Sequence, residues 1–390
     1  MSNLSRLYLF ACLKMTLFPM AVITLFWKDE IGLSLTEIML LQGGFSLASV
    51  LCEYPSGYLA DRLGYRRTLT LATIIGIVGW AVYTVADSFA GVLLAEALLG
   101  ACFAFISGSD SALLYESLRR DGREGDYARY DGRMNGAAQS GEAAGALFAG
   151  ALYALSPLIP FLLQIAVWLV ALLVVRGLVE APPDHTPAPA SHLTEALKVG
   201  RHALIETPLL RWGILYGTVA GLASFYPVWL IQPHMQQQGV PLTWFGPIWA
   251  GANLTVAVFA LLSQRSRFHL GDAGLVWLCG VLCLLGYLGL GLWPGIWSFF
   301  CYYLLTAMRG LQGPLIRHHL QLASSRHNRA SILSLKNFAF RLAFVVSGPL
   351  VGLAADRAGL AATFLGLALL FALLLLPLSR AFLNHLPKTS

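Results

Sequence analysis

Twelve stretches of mostly apolar residues run through this chain of 390, and they limit what it can fold into more than any other feature. A helix rises ~1.5 Å per residue and the hydrocarbon layer of a bilayer is ~30 Å thick, so ~20 apolar residues make one crossing. The stretches cover 5–27, 35–57, 68–86, 88–118, 131–155, 157–176, 209–235, 241–263, 274–292, 294–320, 331–355 and 361–379. Hydrocarbon offers a backbone N–H or C=O no partner, so segments of this kind cross as helices. An all-α membrane protein of twelve spans is therefore expected. The first span is not a cleavable signal, since it carries Lys14 and lacks a small-residue cleavage site. Only 12% of the residues are charged, against about 25% in an ordinary soluble domain, which excludes a soluble enzyme. No P-loop, GxSxG or HExxH motif is present. No catalytic role, cofactor or metal is expected. Cys12, Cys52, Cys102, Cys279, Cys283 and Cys301 all fall inside apolar stretches, where they read as packing residues.

The net charge of +6 does not point to nucleic acid once the charges are placed. With the N-terminus in the cytoplasm, twenty of the 26 Lys and Arg fall in cytoplasmic loops or tails and only Lys28 and Arg357 on the other side. That is the positive-inside pattern, and an even number of spans puts both termini in the cytoplasm. Trp27, Trp212, Trp244, Trp293 and Trp297 stand at span ends, where aromatic belts form.

The longest break lies in the middle. Residues 181–191 are proline-rich and end any helix, and 193–206 place Leu193, Ala196, Leu197, Gly200 and Leu204 on one face of a short amphipathic helix. The chain divides into a six-helix bundle over 1–176, a cytoplasmic linker over 177–208 and a second six-helix bundle over 209–390. A shift of 202 residues lays Trp27 on Trp229, Gly108 on Gly310 and Asn135 on Asn337, so the halves read as a parallel repeat.

Between the second and third spans the chain reads GYLADRLGYRR. This resembles the signature loop of the major facilitator superfamily, with Gly57, Asp61, Arg62, Gly64, Arg66 and Arg67 matching and Tyr65 replacing the usual Arg. The resemblance extends over the whole chain. It implies two pseudo-symmetric six-helix bundles rocking about a shared site, with this loop as a latch. Gly57 is expected to let two helices approach closely, and Asp61 to sit at a helix N-terminus. The loop after the eighth span, SQRSRFHLG, keeps Arg but lacks Asp. Two departures set the chain apart from the drug/proton antiporters of the superfamily. Glu96 stands four residues before Gly100 where those carry Arg, and GALFAG replaces their proline-containing signature in the fifth span.

Ionisable residues inside spans are costly and need a partner or a wet cavity. The resemblance implies that spans 1, 4, 7 and 10 line the cavity. Lys14, Arg309 and Arg341, with Gln139, Asn337, Tyr216, Tyr226, Trp229 and Gln232, are the candidate substrate contacts. Asp110, Glu142 and Glu53 are the candidate proton carriers, and Glu96 is expected in solvent near the outer interface. Guanidinium groups without acidic neighbours suit a carboxylate or phosphate. The expected function is proton-coupled secondary transport of a small anionic or zwitterionic solute by a monomer, in a bacterial inner membrane. The alternatives are efflux of drugs or metabolites and a non-transporting sensor on the same fold.

Overall fold

The structure, a computed structural model, describes residues 2–180, 198–324 and 328–386. Leu193, Ala196 and Leu197 of the expected linker helix lie outside them; residues 198–206 are helical, with Val199 and Ala203 buried. No strand occurs among the described residues. The chain forms two compact units, Met1–Thr186 with Pro241–Ala250, and Pro187–Val240 with Gly251–Ser390.

The first unit contains α1 (Asn3–Met15), α2 (Ile23–Leu25, continued by a π-helical turn to Glu30), α3 (Leu35–Leu63), α4 (Tyr65–Tyr83), α5 (Phe89–Ile106), α6 (Ser109–Arg120), α7 (Tyr127–Leu147), α8 (Ala149–Leu155) and α9 (Ile159–Arg176). Local chemistry sets several ends. Ser34 and Glu37 form a capping box that starts α3, and Gly64 (φ 88°) ends it. The second unit is built on α10 (Pro208–Gln237), α11 (Phe245–Leu292, whose first residues belong to the first unit), α12 (Phe300–Leu322), α13 (Arg329–Ala358) and α14 (Leu360–Asn384). Gly271 (φ 69°, ψ 174°) divides α11 into the expected eighth and ninth spans. Seven described helical stretches are long and apolar enough to cross a membrane, α11 counting once and α5 with α6 counting once. Expected spans 1, 4 and 5 are each broken into two pieces.

Helices separated only by lipid-like side chains gain little from hydrophobicity, so close backbone approach holds such bundles together. In the first unit a Cβ on Gly100 of α5 would stand 2.5 Å from the Phe45 carbonyl of α3, and Ser49 Oγ donates to the Gly100 carbonyl at 3.0 Å. In the second unit a Cβ on Gly310 of α12 would stand 2.5 Å from the Val256 carbonyl of α11, and Ser263 Oγ donates to the Leu311 carbonyl at 3.0 Å. The repeat is therefore written in matching contacts, with Gly310 answering Gly100. The shift that laid Gly310 on Gly108 is corrected: Gly108 breaks a helix at φ 88°, whereas Gly310 lies inside a continuous one.

Gly100→Ala and Gly310→Ala should each lower stability by about 1–3 kcal/mol, the usual cost of overpacking. Gly57→Ala, whose Cβ would meet nothing within 4 Å, should leave it unchanged. Thermal unfolding of the purified variants in detergent checks this, and equal melting for all three would refute the close-approach account.

Candidate functional site

Irregular backbone at membrane depth survives only where protein or water satisfies it. In the first unit it occurs at three places: after α1, between α5 and α6, and at Phe148 between α7 and α8. α1 stops at Met15, and residues 16–22, which include Pro19, leave the helix. The exposed polar groups are taken up locally. Thr16 Oγ1 donates to the Cys12 carbonyl at 2.9 Å, and the Phe18 N–H donates at 3.0 Å to Oε1 of Gln164, which is fully buried. α7 closes over this segment through two glycines: a Cβ on Gly141 would stand 2.1 Å from the Cys12 carbonyl, and one on Gly145 2.8 Å from the Leu17 nitrogen. The second break lies between α5 and α6, at Gly108 (φ 88°, ψ −44°). α10 and α12 of the second unit run through without such a break.

The structure brings Lys14 and Asp110 together at these breaks as an ion pair, with side chains 14% and 7% exposed. Lys14 sits in the last turn of α1 and Asp110 in the first turn of α6. Each charge therefore faces the helix end whose dipole favours it, by about 0.3–1 kcal/mol apiece.

The second unit holds a cavity of about 520 Å³. Four helices form it, each with helical spacing: Gly217, Gly221, Ser224 and Phe225 on α10; Val256 and Ala260 on α11; Arg309, Gln312, Gly313 and Arg317 on α12; Leu333, Lys336, Asn337 and Phe340 on α13. Every charged residue in its lining is basic. Arg309 is exposed although it lies ~14 Å along its helix from Phe300. Glycine makes the room. At Gly313 a Cβ would meet nothing within 4 Å, and Gly221 lets the Phe340 ring lie against α10, 3.1 Å from where its Cβ would be. A smaller cavity of about 370 Å³ near the N-terminus is lined by both signs, Arg6 and Arg120 with Glu116, Asp121 and Glu180, and has no such bias.

The other expected contacts stand elsewhere. Tyr216 is buried and stacked on Phe382 with centroids 5.4 Å apart, and Tyr226 is bonded to Ser347 Oγ at 2.6 Å beneath Phe344. Trp229 packs edge-on against Phe225, and Gln232 is fully buried. Tyr216 and Tyr226 lie off the stripe of α10 that carries Gly217, Gly221 and Phe225, whereas Trp229 and Gln232 continue that stripe one and two turns past Phe225, beyond the cavity lining. Arg341 is half-buried and outside the cavity lining. In the first unit Gln139 and Glu53 are exposed and Glu142 is half-buried. Glu96 is not in solvent but 4% exposed, accepting from Tyr83 Oη and, at 2.9 Å, from Gln42 Nε2. α3 and α4 both pack on its helix, which a reading of depth along one span cannot reveal.

The latch loop departs from expectation in one respect. Nothing crowds Gly57, and the Asp61 side chain lies outside the described residues. A carboxylate that does stand at the N-terminus of α4 is that of Glu180, which accepts from the Arg66 N–H at 3.0 Å and would stand 2.7 Å from a Cβ on Gly64. Arg62 lies over the Tyr58 ring, and Arg66 is half-buried while Arg67 is exposed. The corresponding turn of α11 has its acid after all, one residue past the matched string. Asp272 pairs with Arg267 and stands 3.3 Å from His319 Nε2. Burial opposes its ionisation, but the hydrogen bond from Arg267 and the neighbouring His319 outweigh that and hold the carboxyl below its ordinary value.

The family model described as Major Facilitator Superfamily matches residues 4–347. The structure is similar to the crystal structure of the nucleoside transporter NupG, with a TM-score of 0.80 at 14% identity over 100% of both chains. It is similar to a bacterial homologue of the human lysosomal transporter Spinster, inward-facing and unoccupied, with a TM-score of 0.73 at 16% identity over 100% of this chain and 98% of that one. A POT family transporter in complex with 5-aminolevulinic acid gives 0.77 at 12% identity over 98% and 96%. At these identities the likeness shows the fold alone. No curated protein matches the sequence.

Two predictions follow from the charge pairs. Lys14→Met leaves the Asp110 carboxylate buried without its cation and should cost about 3–5 kcal/mol, while Lys14→Met/Asp110→Asn recovers most of it. Melting temperatures of the single and double variants decide, and a double variant no better than the single would rule the pair out. The lowered Asp272 carboxyl adds stability above about pH 4, its unfolded value, that is lost as the pH falls through its folded value. Melting followed from pH 6 to 3 should show Asp272→Asn losing less stability on acidification than the unaltered chain.

Proposed function

The chain belongs to the major facilitator superfamily, and we propose that it is a secondary active transporter moving a small organic anion across a bacterial inner membrane, as a monomer, by alternating access coupled to protons. The observation that carries this reading is the cavity of the second unit. Its charged lining residues, Arg309, Arg317 and Lys336, are all cationic. Exposed cations at such depth need water or a counter-ion, and carboxylate or phosphate is the group that guanidinium holds best. Arg341 and Asn337 act on the same solute as it passes, Arg341 from outside the present lining. Lys14–Asp110 is the coupling element. It is an ion pair held between broken helix ends, where a change in the local backbone would draw the two charges apart. Glu142 and Glu53 are secondary proton carriers, and the signature loop with Glu180 holds one conformation closed.

Proteoliposome uptake with a pH dye tests the proposal. Arg309→Gln and Lys336→Gln should each raise the KM for the transported anion by about tenfold or more, the worth of a charge-assisted hydrogen bond. Gly313→Leu should fold with ordinary stability and block uptake by filling the cavity. The Lys14→Met/Asp110→Asn protein should exchange anion across the membrane yet fail to concentrate it against a pH gradient. Flux of organic cations alone, indifferent to Arg309 and Lys336, would move the protein to the efflux class.

A further inference from the structure

The cavity contains one polar group that an anion does not use. Gln312 lies on α12 one turn after Arg309 and is 4% exposed. Its Nε2 donates to the Ala220 carbonyl at 3.1 Å and toward Ser224 Oγ at 3.4 Å, which fixes the amide with nitrogen toward α10. Its Oε1 has no hydrogen-bond partner among the described residues. A buried acceptor left unpaired is costly, and it marks a site built to receive a donor. The neighbouring wall is aromatic: Phe225 and Phe340 line the cavity with ring centroids 5.3 Å apart at 76°, an edge-to-face pair that a third ring can join. Gly217 and Gly221 keep the α10 side of this wall low.

We infer that the cavity selects an aromatic acid bearing a hydrogen-bond donor, with the acid on Arg309 and Lys336, the ring on Phe225 and Phe340, and the donor on Gln312 Oε1. This rests on the anion-carrier reading above and adds the substrate class. Arg309 and Gln312 are three residues apart, ~4.5 Å along the axis, so the two ends of a single-ring acid can be held at once by neighbouring turns. A neutral ring lacks the counter-charge for the cations. An acid without a donor leaves Oε1 as costly as before, and a site with a buried unpaired group discriminates more sharply than a merely apolar one.

The test is equilibrium binding to the purified full-length protein, comparing benzoate, 4-hydroxybenzoate, 4-methoxybenzoate and 4-hydroxybenzyl alcohol. 4-Hydroxybenzoate should bind about tenfold or more tightly than benzoate or the methoxy acid, and the neutral alcohol weakest. Gln312→Leu, or Gln312→Met should that variant not fold, should erase the preference for the hydroxyl, while Arg309→Gln weakens all three acids alike. Arg309-dependent binding of the acids without a hydroxyl preference, or with one that survives loss of Gln312, overturns this inference and leaves the anion carrier standing. The comparison of ligands on the unaltered chain needs no variant to fold. Absence of any Arg309-dependent binding of acids overturns both.

Discussion

Every part of this protein answers to one constraint, the need to satisfy backbone polar groups where there is no water. It makes helices the only element among the described residues and makes each departure from a helix informative. The chain departs where α1 ends, where α5 gives way to α6 and at Phe148 between α7 and α8, and the first break is repaired by specific groups. Gln164 receives the loose Phe18 N–H, Thr16 returns a hydrogen bond to Cys12, and Gly141 and Gly145 let α7 close over the segment. Such compensation concentrates charge at the same place, because broken ends are partial charges. Lys14 at a C-terminal end and Asp110 at an N-terminal end then find each other.

Glycine serves two purposes here. Gly100 and Gly310 bring helices into contact through a carbonyl, and Gly217 and Gly221 let Ile316 and Phe340 lie close against α10, so there glycine is a fastener. Gly313, where a Cβ would meet nothing within 4 Å, leaves the cavity open, and there glycine is an opening. The first unit is closed around an ion pair of balanced charge. The second unit carries its cations in an open cavity with no acid among the described lining residues, and the proposed binding of an anion rests on that imbalance.

Much of the fold was legible in the sequence. Span length, the distribution of Lys and Arg and the GYLADRLGYRR loop led to the twelve-helix architecture without any tertiary information. The site was legible in part. Arg309 and Asn337 were identified from charge and polarity at depth, and Lys14 and Asp110 from the cost of burying either alone. The aromatic residues of α10 were misleading, since Tyr216 and Tyr226 are large enough to touch a ligand yet pack on Phe382 and Phe344. Gln312, Phe225 and Phe340 were missed, although they recur at helical spacing with residues that were named, and Lys336, a buried cation by sequence, was not counted among the substrate contacts. The signal was the glycine face of α10, because a face of small residues opposite a cation is where a cavity can open.

What the sequence alone determined is what depends on composition and local order: that the chain is a multi-pass membrane protein, which loops are basic, and that the signature loop of the superfamily is present. These follow from transfer free energies and one-dimensional patterns, which need no partner. What only the tertiary structure decided is which groups meet. Glu96 is buried because two other helices cover it, Glu180 reaches the N-terminus of α4 from a distant segment, and Asp272 joins Arg267 and His319. Each of these joins residues that separate segments supply, or that a turn folds back together. Their energies depend on distance and dehydration, which the order of residues along a chain does not contain.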